Sequence, residues 1–280
     1  MDNKRELLLL NLRRIQQEEN ELYDKENVWD YALLMIEYIG DPDPELRDDL
    51  IYSTLCSWIM EKNLFEEKEL LKLLSLVINS DHLFYRLGAD GDNSVYTRTF
   101  SVLIVAQIIC RHRHKPFLDR HEVLHVKDVL IRYLTEEKDL RGFTYDNGWA
   151  HGAAHGADAL DELVQCEECT DEVYKEALFA IQKVLSNGRY IFQDEEDERL
   201  ACIVQRIIRA NRFASSRVMK WIENLSQCMA LPRSRSQFVI RVNVKNFLRS
   251  LYFRMRSSAD QYSDLLAILH QTENKLNKFV

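Results

Sequence analysis

Apolar positions along the chain recur at three- and four-residue steps, the spacing of one helical face, and the pattern restarts about every 20 residues. Leu46, Leu50, Ile51, Leu55, Trp58 and Ile59 trace one such stripe. Asp43-Pro44-Glu45 opens it with a cap residue, a first-turn proline and an acid. The same reading predicts helices over about 4–20, 27–39, 66–79, 94–111, 119–134, 148–165, 171–187, 196–210, 215–230, 236–256 and 258–278. Asp119, Asp171 and Ser215 read as caps and Gly188 as a left-handed stop. No segment reads as a strand, since the β-prone Phe238-Val239-Ile240 sits inside a helical period. About a dozen helices with short connections predict an all-α chain of stacked antiparallel pairs. The expected architecture is an irregular HEAT-like array forming one domain over 1–280, with a compact bundle or an α/α toroid as the alternative.

Composition agrees. The chain has 8 Gly and 4 Pro in 280 residues, too few breakers for a sandwich or barrel of many turns. Its longest apolar stretch, Val102 to Cys110, is interrupted by Gln107 and is about half of what a bilayer span needs. Four leucines between charged flanks near the N-terminus are too short for a signal-peptide core. Six cysteines are too sparse for a disulfide framework. The expectation is a cytoplasmic, reduced protein without membrane contact.

Charge is unevenly spread under a net −8. Residues 1–198 hold 22 Lys and Arg against 41 Asp and Glu, whereas residues 199–256 hold 13 against one. Such a basic segment faces an anionic partner or pairs with acids of its own chain. Arg249 and Arg254 are its candidate binding residues.

Chemistry concentrates between Asp139 and Leu163. Gly148, Gly152 and Gly156 stand four apart in a helical pattern, a small-residue face that admits close approach. On another arc of the expected helix lie His151, His155, Asp158 and Glu162. Two His four apart suit a metal, with Asp158 completing a two-His-one-carboxylate set and Glu162 as the catalytic proton acceptor. The same arc also suits a polar network between helices, or a solvated face. Arg141 and Trp149 are further candidate binding residues.

The run Gly40 to Arg47, Arg141-Gly142-Phe143, the Gly148-Trp149-Ala150-His151 to Asp158 stretch and Phe247 to Tyr252 resemble a bacterial family of helical proteins catalogued only as a domain of unknown function. The resemblance spans most of the chain and implies an all-α, HEAT-like domain without an established activity. The Gly-Trp-x-His-Gly core is also similar to that of the lanthionine-synthetase cyclases, which bind zinc. Ala150 stands where their cysteine ligand would be, so that function is not carried over.

Other motifs are weaker. His121-Glu122-Val123-Leu124-His125 matches the zincin pattern, but Asp119 and Glu122 form a capping box that accounts for the glutamate. Cys166-Glu167-Glu168-Cys169 is a lone CxxC, and Asp90 to Ser94 lacks the glycine and glutamate of an EF-hand. The function expected is a cytosolic scaffold for an unknown protein partner. The alternatives are a metal-dependent, hydrolase-type enzyme on His151, His155 and Asp158, or anion binding by the Arg-rich stretch, with nucleic acid disfavoured by the acidic whole. No cofactor is expected, a divalent metal being the exception in the enzyme reading.

Overall fold

The computed structural model describes residues 3–279 and is all-α, with helices over 67% of the chain. Its helices are α1 (Asn3–Gln17), α2 (Val28–Glu37), α3, α4 (Glu67–Val77), α5 (Ser94–His114), α6 (Arg120–Glu136), α7 (Gly152–Leu163), α8 (Asp171–Leu185), α9 (Glu196–Ala210), α10 (Ser215–Leu225), α11 (Arg235–Arg256) and α12 (Ser263–Leu276). Helix α3 runs on through Glu45–Tyr52, Ser53–Cys56 and Ser57–Glu61, its first and last stretches wound as π-helical turns. Between α6 and α7 lies a hairpin of β1 (Phe143–Thr144) and β2 (Gly148–Trp149). No described helix is long and apolar enough to cross a membrane.

The chain forms two compact units, one from residues 1–123 and 136–159, the other from 124–135 and 160–280. In the first, α5 is buried around its whole circumference, with α3 and α4 packed on it. The predicted α3 stripe is the inner face: Leu46, Leu50, Ile51, Leu55, Trp58 and Ile59 are all buried. Trp58 fits the core because its Nε1 donates to Asn20 O at 3.0 Å. At Gly40 the chain touches α5 so closely that a Cβ there would lie 2.7 Å from the Thr97 Cα. In the second unit α11 packs against α8, α9 and α12, with Phe247, Leu248, Leu251 and Met255 turned inward.

Four expectations need correction. The helix over 148–165 begins only at Gly152, and its expected first turn is instead β2 and a bend. Gly148 (φ +71°) and His151 (φ +52°) are left-handed, which no helix accommodates. Asp171 and Ser215 are not caps: they are the first residues of α8 and α10, preceded by Thr170 and Ala214. The last helix starts at Ser263 rather than near 258, and α10 gives way to a 3-10 turn at Ser226–Ala230. Asp119 and Glu122 form the expected reciprocal cap, at 2.6 and 2.8 Å.

Candidate functional site

The first unit contains a polar frame beneath its hairpin. Arg98 and Glu137, both fully buried, form a bidentate pair at 2.5 and 2.9 Å. Asp139 accepts from the Gly91 N–H at 2.9 Å and grips Arg141 at 2.6 and 2.7 Å, while Arg141 also donates to Asp92 O. The candidate binding residue Arg141 is thus engaged within the frame. The segment after it is pinned by Ala150 N–H to Gly142 O and His151 N–H to Arg141 O.

Arg47 secures the hairpin from the other side. It is wholly buried, donating to Asp41 O and Asn147 O at 2.6 Å each. Its guanidinium lies over the rings of Tyr96 and Phe100, at 4.2 and 4.7 Å from their centroids. Burial pulls its pKa below the usual arginine value, and its Nε has no hydrogen-bond partner. Gly148 rests on Pro44, where a Cβ would come within 2.9 Å. Tyr96 Oη and Thr144 Oγ1 lie 2.9 Å apart, and Thr144 donates to Gly148 O at 2.8 Å.

From this base a continuous run of rings leads outward. His155, on α7, meets Phe100 edge-on at 5.4 Å and His151 at 5.4 Å. His151 stacks flat on Trp149 at 4.4 Å and 17°, and Trp149 meets Phe143 at 4.9 Å. Phe143 then meets Tyr145 at 6.0 Å. The inner end is dry, with His151 and His155 at 5% and 7% exposure. The outer end is open: Trp149 is 37%, Phe143 49% and Tyr145 99% exposed.

The histidines therefore do not share one arc of a helix, because His151 precedes α7, and neither lies on a solvated face. Among the described residues the ligand atoms of His151, His155 and Asp158 do not gather within 4.8 Å of one another. Asp158 is half-buried near the end of the first unit's share of α7. Nearby, burial pushes the Tyr52 hydroxyl well above the usual range, with the charge of Asp158 adding to the shift. Glu162 belongs to the second unit, where its carbonyl lies 3.8 Å from the Cys166 thiol.

The remaining motifs make contacts of their own. His121 and His125 are exposed, and Glu122 is committed to its cap. Cys169 donates to Leu163 O at 3.1 Å, and burial pushes its thiol up to about 12, so it is a poor nucleophile. In the Asp90–Ser94 loop, Asp92 closes the turn before α5, accepting from the Ser94 N–H and Oγ. Arg249 and Arg254 pair with Glu273 and Glu198 at 2.6 and 2.7 Å, and Arg206 and Arg217 also meet carboxylates of their unit.

Three features of the site and its surroundings escaped sequence reasoning. Asn147-Gly148 was the local signal of the hairpin, although the connection itself is the three residues 145–147 and Gly148 already pairs with Thr144. Arg47 gave no signal, since an arginine beside an apolar stripe usually lies in water. His112 was also missed; its Nδ1 accepts from the N–H groups of Phe117 and Leu118, fixing the turn after α5. No curated protein and no solved structure matches the chain. Residues 83–253, which include the whole hairpin and its ring run, match the family described as protein of unknown function (DUF2785), and the chain belongs to that family.

Proposed function

We propose that the protein is a binding scaffold whose docking element is the hairpin 143–149. The observation that carries this is the exposure of Phe143, Tyr145 and Trp149 together on a rigid base. Three large rings left in water on a two-stranded hairpin contribute little to folding, whereas aromatic rings are favoured anchors of protein interfaces. The base explains how they stay presented: Arg47, Thr144 and the Gly142–Ala150 bond fix the hairpin at separate points. In this reading the helices form an irregular HEAT-like array, a framework that displays rather than reacts. The six free cysteines, none in a disulfide, are consistent with a cytosolic setting.

Site-specific photo-cross-linking tests the proposal. A benzophenone side chain at Tyr145 is expected to form adducts in cell extract that the same group at Lys68, an exposed position of the same unit away from the hairpin, does not form. Equal yields at both positions would refute a docking role for the hairpin.

A further inference from the structure

The chemistry around the rings identifies what they would receive. Tyr145 and Asp146 form the exposed tip of the hairpin. The segment beneath it is 41–49, which meets the tip through Asn147 Nδ2 to Pro42 O, Arg47 to Asn147 O and Pro44 against Gly148. That segment holds five carboxylates, Asp41, Asp43, Glu45, Asp48 and Asp49. Arg5 spans Asp41 and Asp43, and Arg13 pairs with Glu45. Arg47 is buried and offers a partner nothing.

The surroundings are acidic at larger scale too. The first unit carries 28 Asp and Glu against 17 Lys and Arg, a net −11, while the second is +3. Asp146 sets an exposed carboxylate at the rings of a unit that is negative as a whole, and such a face suits a cation, because the negative ring faces and the acids attract the same charge. It repels an acidic segment and gives a neutral apolar one no electrostatic benefit.

Resting on the docking role proposed above, we infer that the hairpin receives a segment bearing arginine or lysine from a partner protein. A cationic side chain stacks on Tyr145 or Trp149 while Asp146 pairs with it or its neighbour. Arginine is preferred, since its planar guanidinium both stacks and forks to carboxylate.

The test uses the full chain and fluorescent peptides of equal length: Arg-Gly repeats, Lys-Gly repeats, Glu-Gly repeats and a neutral Leu-Ser sequence, read by anisotropy. The Arg peptide is expected to bind tightest, and the Glu peptide not at all. Tyr145→Ala should weaken the Arg peptide about threefold to fivefold, the range of an exposed cation–π contact. Tyr145→Phe should restore most of that loss. Asp146→Lys should weaken it by about tenfold, and added salt should lower the affinity of wild type more than that of Asp146→Lys. Tyr145 and Asp146 are so exposed that neither change threatens folding. Equal binding of the Arg peptide by all variants would overturn the inference, as would no binding to wild type. Tyr145-dependent binding of the neutral peptide alone would also overturn it while leaving the docking role standing. A wild-type dimer that Tyr145→Ala dissolves would assign the face to a second copy and overturn it as well.

Discussion

Replacing Glu137 by glutamine tests whether the polar frame holds the first unit together. Glu137 gives Arg98 two oxygens, at 2.5 Å from Nε and 2.9 Å from Nη2, and also accepts from the N–H groups of Lys138 and Asp139. Glutamine keeps one acceptor and turns an NH2 toward a guanidinium that only donates. A cation with no exposure loses its counter-charge, at a cost of about 3–5 kcal/mol. Four further acceptors, Tyr85 O, Arg86 O, Ala89 O and Ser94 Oγ, remain around Arg98 and keep the cost near about 3 kcal/mol. That corresponds to a melting temperature lower by roughly 6–12 °C. Urea unfolding followed by tryptophan fluorescence measures it, since Trp29, Trp58 and Trp149 report from this unit. The double change Arg98→Met with Glu137→Leu should cost less than Glu137→Gln alone, because two apolar groups leave no charge stranded. A Glu137→Gln protein within about 1 kcal/mol of wild type would refute the account.

Other outcomes follow from single contacts. Gly148→Ala should cost about 2–4 kcal/mol, combining left-handed strain with overlap against Pro44, and Tyr145 cross-linking should fall with it; unchanged stability would mean the hairpin does not rest where described. His112→Ala should cost about 1–3 kcal/mol by stranding the Phe117 and Leu118 amides, read as a shift in urea midpoint. Cys169 should resist iodoacetamide at pH 8, where a thiol pushed up to about 12 is thiolate in roughly one molecule in ten thousand, and react readily in urea. Because the thiolate is the nucleophile, its labelling should accelerate with rising pH throughout the range in which the protein stays folded; mass spectrometry showing rapid native labelling at pH 8 would contradict its burial.

Much of the fold could be read from the chain because helical periodicity is local. The α3 stripe needed only the spacing of Leu46 to Ile59, and α5 only a long apolar run bounded by Ser94 and a basic end. The site was less legible, for two physical reasons. Glycines four apart at 148, 152 and 156 imitate a helix face, yet backbone angles at Gly148 and His151 decide the matter, and spacing does not encode them. The burial of Arg47 depends on a carbonyl 100 residues away, at Asn147. The aromatic tip was legible only in part: Trp149 was a candidate binding residue, whereas the exposure of Phe143 and Tyr145 beside it depends on the hairpin that spacing did not reveal. His151 and His155, read as a pair on one helical arc, meet instead by ring packing.

The order in which the two units are threaded has a consequence for synthesis. The first unit is interrupted at residue 123 and resumes at 136, so α5 emerges from the ribosome well before the strands and the α7 turn that complete its surroundings. At about 5–20 residues per second, the 36 residues between 123 and 159 take roughly 2–7 s to make. Throughout that interval a nascent chain carries a helix that the finished unit buries on all sides, with part of its cover not yet translated. A fragment cut at 123 would hold that state permanently, and one cut at 159 would be the shortest N-terminal piece to contain every segment of the first unit.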